Sequence, residues 1–252
     1  MAIRAHSLAV TGVEPQGSDA ILLSLGVTAE QQPHFGFRPG QYLTLAATVQ
    51  GDDYWRCYSI TSEPVVGQPI SVLVRRVAGG RVSNWLCDHA QPGLRLQVLP
   101  PAGHFTLARP GQPVLLYAGG SGIAPVYALA REALAQGAAR GRLFYANRDR
   151  ATAMLQAELQ TLQAAAAGRL EALVTEAAAF RGEVLPKRIP FGVILRHQNA
   201  AKVGVPRERN AHHVEHFPFE ELCAAPDAGD RRERGVVLRH TGFHADPAAM
   251  RQ

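Results

Sequence analysis

The stretch that most constrains this chain is Leu116-Tyr117-Ala118-Gly119-Gly120-Ser121-Gly122-Ile123-Ala124-Pro125. A short apolar run meets a cluster of glycines, and a proline suited to the first turn of a helix follows. This reads as strand, tight turn and helix start. Glycines let another group approach the backbone closely, and the helix N-terminus favours negative charge. The surroundings repeat the alternation. Val114–Ala118 predicts a strand, 124–136 a helix, Arg142–Ala146 a strand and Leu170–Thr175 another. Between the last two, 152–165 predicts a helix with Leu155, Leu159 and Leu162 on one face. That order builds a parallel sheet with crossover helices. The glycine spacing departs from G-x-G-x-x-G, because Pro125 takes the place of the last glycine.

Residues 1–108 have a different texture. Short runs rich in Val, Ile, Leu, Tyr and Thr recur at Gln41–Leu45, Tyr58–Thr61, Ile70–Val77 and Leu94–Leu99. Pro39-Gly40, Gly79-Gly80 and Pro92-Gly93 separate them. Such spacing predicts an antiparallel β-barrel or sandwich. One inserted helix is expected, capped by Ser83-Asn84 and continued by Trp85, Leu86 and His89. The expected organisation is thus 1–108 as an antiparallel β domain, 109–182 as the first half of an incomplete α/β parallel-sheet domain, and 183–252 as an atypical, poorly ordered tail.

Two segments of the first domain carry candidate chemistry. In Arg56-Cys57-Tyr58-Ser59-Ile60-Thr61-Ser62, an arginine, an aromatic and a hydroxyl alternate, and on a strand they are expected to share a face. A guanidinium grips a pyrophosphate, an aromatic ring lies on a flat heterocycle, and a hydroxyl can bond to a ring nitrogen. A half-exposed strand with a routine arginine and serine reads the same way in isolation. Val74-Arg75-Arg76, then Gly79-Gly80-Arg81-Val82-Ser83, is a glycine turn leading into a helix start, which is a phosphate cradle or a plain capped hairpin.

Composition narrows the classes. Of 252 residues, 46% are hydrophobic and 19% charged, ordinary for a folded globular chain. The net charge of +5 is mild and dispersed, so neither nucleic acid nor a membrane surface is an expected partner. No apolar run approaches membrane-spanning length. The three cysteines, Cys57, Cys87 and Cys223, lack paired spacing and read as free thiols in a reducing compartment. The start, MAIRAHSLAV, has no long apolar core before a cleavage site. A soluble cytoplasmic protein is the expectation.

The order of these motifs resembles the ferredoxin–NADP⁺ reductase superfamily, and within it the reductase components of bacterial oxygenase systems. The resemblance rests on Phe37-Arg38-Pro39-Gly40-Gln41-Tyr42, Arg56 to Ser59, Val74-Arg75-Arg76 with Gly80 to Asn84, and Pro101-Ala102-Gly103-His104-Phe105. Gly119 to Pro125 and Tyr145-Ala146-Asn147-Arg148 continue it, so that it covers about residues 5–175. It implies FAD and NADPH or NADH as cofactors. It also implies an electron-acceptor protein, an oxygenase component or an iron–sulfur protein, as partner. By position, Arg56 holds the FAD pyrophosphate, Tyr58 stacks on the flavin and Ser59 lies near N5, these last two being the catalytic candidates. Arg75, Gly80, Val82 and Ser83 line the FAD phosphate and adenine end. Gly119, Gly120, Gly122 and Pro125 form the NAD(P)H pyrophosphate loop. Asn147 and Arg148 lie near the adenosine ribose, where an arginine pairs with a 2′-phosphate and favours NADPH, or is simply an exposed residue after a strand.

The resemblance stops in the last third. The family's later Cys-Gly-Pro segment has no counterpart; Cys223 is followed by Ala224-Ala225-Pro226. No C-x₄-C-x₂-C run is present to ligate a plant-type cluster. From about residue 183 periodicity fades and six of the ten histidines gather, together with Arg231-Arg232-Glu233-Arg234. These residues are expected not to be the family's continuation but the product of a frameshift, truncation or fusion. Only Phe219–Cys223 suggests an element. His212 and His216 would share a helical face but have no third ligand in sequence, so surface histidines rather than a metal site are expected. Two alternatives stay open beside an active reductase: a flavin-binding redox sensor, and an inactive truncated reductase without NAD(P)H turnover.

Overall fold

The computed structural model describes residues 4–176, together with the backbone of two short strands at Val193–His197 and Val237–Leu238. The first domain is built from β1 (His6–Gln16), β2 (Ala20–Gly26), β3 (Tyr42–Val49), β4 (Asp52–Ser59), β5 (Ile70–Arg75) and β6 (Arg95–Ala102). All pairings are antiparallel, in the order β4-β3-β6-β1-β2-β5. The two end strands meet through an antiparallel bridge between Ile60 and Val72, which rolls the sheet into a barrel. Period-two alternation fills it. Leu8, Leu23, Leu25, Leu43, Leu45, Val72 and Val98 point inward and are fully buried, each contributing roughly 2 kcal/mol of burial free energy. The β3–β4 hairpin turns through Gln50 and Gly51, both at positive φ (56° and 91°), the geometry that suits two-residue hairpin loops.

Strands β1 and β2 have no counterpart among the sequence expectations. Gly12 and Pro15 interrupt the β1 pattern, and both are accommodated. The register shifts between Val10 and Gly12, absorbing an irregularity as a bulge does. Pro15 lies beyond the His6–Ala9 segment that pairs with β6, so β1 has one partner there and the missing N–H costs little.

Helix α1 (Arg81–His89) packs Val82 and Leu86 into the barrel core. It starts earlier than expected. Gly80 is its N-cap, and Ser83 and Asn84 lie inside the helix, so neither caps it. Asn84 instead donates from Nδ2 to the Val77 carbonyl at 3.1 Å.

The second domain has β7 (Val114–Gly119), α2 (Ile123–Ala135), β8 (Gly141–Asn147), α3 (Gln156–Ala165) and β9 (Leu170–Glu176). β7, β8 and β9 are parallel, in the register Leu116↔Leu143↔Ala172. The α3 start lies later than the expected residue 152 because Asp149 closes a local turn: its Oδ1 accepts the Thr152 N–H and its carbonyl accepts the Thr152 hydroxyl. On the other side of β7, β10 (Val193–His197) runs antiparallel, and β11 (Val237–Leu238) pairs with β10. Phe219–Cys223 and His212–His216 lie outside the described residues.

The domains share a core. Ala20 and Leu73 of the barrel are buried in one cluster with Leu116, Ile123, Val126, Leu143 and Leu155 of the second domain. Gly40, at φ 91°, packs against Phe105 within the first domain, and a Cβ there would also lie 3.2 Å from a methyl of Leu129 on α2. These contacts bring the two glycine-bearing edges, one near α1 and one at the end of β7, into one molecule with a fixed joint.

Candidate dinucleotide sites

The first site begins on β4, an edge strand whose far side is open. In the β3–β4 register Arg56 faces Leu45, Tyr58 faces Leu43 and Ser59 faces Tyr42. Directly paired residues share a face, and neighbours along a strand do not. Arg56 and Tyr58 are therefore together, while Ser59 is on the opposite face with Tyr42. The expectation that all three share a face is corrected by strand parity. Tyr58 packs against the barrel core, and burial raises its phenol pKa well above the ordinary value, so the ring stays neutral. Arg56 is exposed and donates from one terminal nitrogen to the Trp55 carbonyl at 2.7 Å. Ser59 is buried.

Helix α1 completes this site. Arg81 donates to the Tyr54 hydroxyl and lies over the Tyr54 ring, 4.9 Å from its centre, tying the helix start to β4. The N-cap Gly80 supplies no side-chain acceptor for the first-turn amides. Any Cβ on Gly80 would fall 2.5 Å from the Ser83 hydroxyl. Val82 and Ser83 are buried just behind. Two guanidinium groups and an uncapped helix start suit a pyrophosphate, and a neutral tyrosine ring on the same strand suits a flat aromatic ring, so these residues fit FAD.

The second site lies at the C-terminal end of β7. Gly119 ends the strand, Gly120 adopts φ 50°, Gly122 is the N-cap of α2, and Pro125 sits in the helix's first turn. A Cβ on Gly120 would lie 2.8 Å from a terminal nitrogen of Arg75. Arg75 comes from the barrel, at the end of β5, and is held by Asp19, whose Oδ2 accepts from Nε and Nη2 at 3.1 Å each. The resemblance puts Arg75 at the FAD phosphate end; the structure places its guanidinium against the glycine turn of the other domain. Asn147 ends β8 and is 4% exposed. Its amide lies near enough to lower the pKa of the Tyr145 hydroxyl, yet neither amide atom reaches hydrogen-bonding geometry with any partner. Burial, the larger effect, pushes Tyr145 up to about 12. A buried amide with unused donor and acceptor, beside a glycine turn and a guanidinium, fits the polar parts of a second dinucleotide. Arg148 is exposed and paired with Asp149 at 3.0 Å, and the pairing holds the Asp149 carboxyl below its usual range.

Asp19 and Tyr42 were not legible as site residues. Asp19 meets Arg75 across a sequence separation of 56 residues. Tyr42 closes a sequence motif that gives it no role of its own; its ring lies 2.9 Å from where a Cβ on Gly103 would stand, which explains the glycine of Pro101-Ala102-Gly103. Among the described residues no group of three or more His, Cys, Asp or Glu side chains is placed to hold a metal ion, and no helix is long and apolar enough to cross a membrane.

Comparison with known proteins follows this division. Residues 7–107 match the oxidoreductase FAD-binding domain and residues 116–197 the oxidoreductase NAD-binding domain. The chain belongs to the ferredoxin–NADP⁺ reductase superfamily. Among curated members, it is 39% identical over 160 residues to the ferredoxin reductase component of 3-ketosteroid-9-alpha-monooxygenase from Rhodococcus rhodochrous, covering 63% of this chain and 46% of that protein. It is 36% identical over 173 residues to one of the subunits of the 1,2-phenylacetyl-CoA epoxidase from Escherichia coli K12, covering 67% of this chain and 48% of the relative. The chain thus spans about half the length of these curated superfamily members. Among solved structures, an Amycolatopsis cytochrome P450 reductase superposes with a TM-score of 0.61 at 26% identity, covering 75% of this chain and 61% of that one. The flavohem-like FAD/NAD-binding domain of nitric oxide dioxygenase from Vibrio cholerae gives 0.62 at 20% identity, covering 81% and 83%, and supports the superfamily fold.

Proposed function

We propose that this chain is an FAD-dependent NAD(P)H reductase that delivers electrons to a separate acceptor protein, an oxygenase component or an iron–sulfur protein. The observation that carries this reading is Arg75. It is a barrel residue whose guanidinium is fixed by Asp19 against the Gly120 turn of the second domain, so the flavin-type barrel supplies a cation directly to the second dinucleotide site. FAD, when bound, supplies the redox chemistry, accepting a hydride and releasing electrons one at a time. The chain's own residues position and exclude. Arg56, with the α1 start at Gly80, Val82 and Ser83, holds the flavin dinucleotide's phosphates. Tyr58, kept neutral by burial, offers its ring to the flavin. Ser59 is assigned to the reacting ring edge by the resemblance alone, since strand parity turns its side chain to the other face of β4 from Tyr58. Gly119, Gly120, Gly122 and Pro125 receive the pyridine nucleotide's pyrophosphate, assisted by Arg75. Asn147 and Arg148 meet its adenosine ribose, and the cationic Arg148 favours NADPH over NADH. Free-thiol cysteine usage supports a cytoplasmic location.

The specific acceptor classes are drawn from the relatives, one named as the ferredoxin reductase component of a monooxygenase and another as part of an epoxidase. A second reading, a flavin-binding redox sensor without pyridine-nucleotide turnover, is favoured by two features. The slot beside β7 holds the antiparallel β10 rather than another crossover strand, and the sequence lacks Cys-Gly-Pro. The match to the oxidoreductase NAD-binding domain runs on to residue 197, so a departure from the family's continuation would begin after that point rather than at about residue 183. The visible spectrum of the purified protein separates the readings. A flavin spectrum bleached anaerobically by NADPH or NADH supports the reductase. A flavin spectrum indifferent to both supports the sensor, and a colourless protein that takes up no added FAD overturns both.

A further inference from the structure

The hairpin between β1 and β2 reaches out of the barrel and into the second domain. Helix α3 begins without a cap of its own: its N-cap, Leu155, is apolar and adopts φ 55°, a conformation that residues other than glycine and asparagine rarely hold. The missing cap comes from the other domain. Gln16 is 8% exposed, and its Oε1 accepts the Leu155 N–H at 2.8 Å. Its Nε2 donates to Oε1 of Glu158, the third residue of the helix, also at 2.8 Å. In a capping box the third helical residue reaches back to the N-cap amide; here a glutamine from the barrel is inserted between them and bonds to both. The next residues add to the grip. Gly17, at φ 58°, lies so near the loop after β8 that a Cβ would stand 2.7 Å from the Ala151 carbonyl oxygen. The Ser18 N–H donates to that same carbonyl at 2.8 Å. Asp19 then holds Arg75 against the Gly120 turn.

We propose that Gln16 is a positioning residue. By capping α3 across the domain boundary it fixes the angle at which the pyridine-nucleotide domain faces the flavin domain. The proposal rests on the reductase reading, since the consequence of a fixed angle is a short path between the two reacting rings. Gln16 touches neither cofactor in this scheme; it acts through the loop after β8 and through α3. Both atoms of its amide are committed to one domain while its backbone belongs to the other. A loss here leaves buried polar groups unpaired on each side of the joint.

The test uses the full chain loaded with FAD. Gln16→Glu keeps an acceptor for the Leu155 amide but sets a second carboxylate against Glu158. The paired change Q16E/E158Q restores a donor and an acceptor in reversed order. With NADPH or NADH in saturating amounts under anaerobic conditions, the limiting rate of flavin bleaching is expected to fall by roughly tenfold or more in Q16E. Flavin content should be unchanged, the rate should recover as the pH is lowered into the carboxylate range, and the reciprocal pair should restore it at neutral pH. A parent-like rate in Q16E, or a loss that the pair does not restore, overturns the proposal. If the parent protein itself is not bleached, the reductase reading is what fails. The joint is then judged by melting. Flavin release and loss of helical signal should coincide in the parent and in the reciprocal pair but separate in Q16E, and coincidence in all three overturns it.

Discussion

Arg56 and Glu132 show how differently two charged side chains can bear on one molecule. Arg56 is exposed and packs little, so Arg56→Ala should leave the thermal midpoint of the apoprotein nearly unchanged. FAD affinity should nevertheless fall by roughly tenfold to a hundredfold, the worth of a charge-assisted hydrogen bond, measured by flavin fluorescence titration of apoprotein. Glu132, on α2, has a buried Oε2 without a partner, and burial raises its pKa despite the opposing influence of Arg38. A carboxyl whose folded pKa lies above its unfolded one favours folding while protonated, and that contribution is lost as pH rises from the ordinary carboxylate range through the raised value. Glu132→Gln should therefore raise the melting temperature near neutral pH and do little near pH 4, the ordinary carboxylate range; equal effects at both would refute the assignment. At this scale the site was half legible. Arg56 and Tyr58 are two residues apart, and a short motif exposes them. Asp19 has no such neighbour, because its partner Arg75 is distant in sequence and only the pairing of β2 with β5 brings Ala20 opposite Arg75.

Turns decide more at the level of elements than helix or strand preference does. Gly40 combines a positive φ with contact against the Phe105 backbone, so neither a flexible side chain nor a rotamer change can make room. Gly40→Ala should destabilise the protein by about 2 kcal/mol or more through backbone strain and displacement, read from urea unfolding. Gly120→Val should act differently: the neighbour it meets is the end of the Arg75 side chain, which can move. The left-handed backbone of Gly120, at φ 50°, still strains a β-branched side chain, so stability should fall by about 1–2 kcal/mol, while the Michaelis constant for the pyridine nucleotide rises by about tenfold or more. The parallel-sheet elements were legible because apolar strands and amphipathic helices alternate there with clear punctuation. Strands β1 and β2 were not, because Gly12 and Pro15 break the alternation that marks a strand, and a bulge and an unpaired edge excuse them only once the partner strands are known.

For the molecule as a whole, the mixed core joins the fates of the two domains. Leu73 belongs to β5 yet is buried among second-domain residues. Leu73→Ala should cost about 2–5 kcal/mol and shift flavin release and the far-ultraviolet transition together; a shift in only one would mean that the domains unfold independently. None of this joint was visible in the chain's order, because its contacts run between residues far apart in the chain, where local pattern has no reach.

Among the described residues the barrel closes over a short stretch, where Ile60 bridges Val72 and the Thr61 N–H donates to the Ser71 carbonyl at 2.8 Å, while β4 itself pairs in the sheet with β3 alone. It is a cylinder with a slit, and Arg56 and Tyr58 stand on one lip. A ligand laid along that lip disturbs none of the ladders that hold the wall together. Loading and loss of the flavin should thus be reversible without refolding, and protein stripped of its colour should regain it on simple mixing.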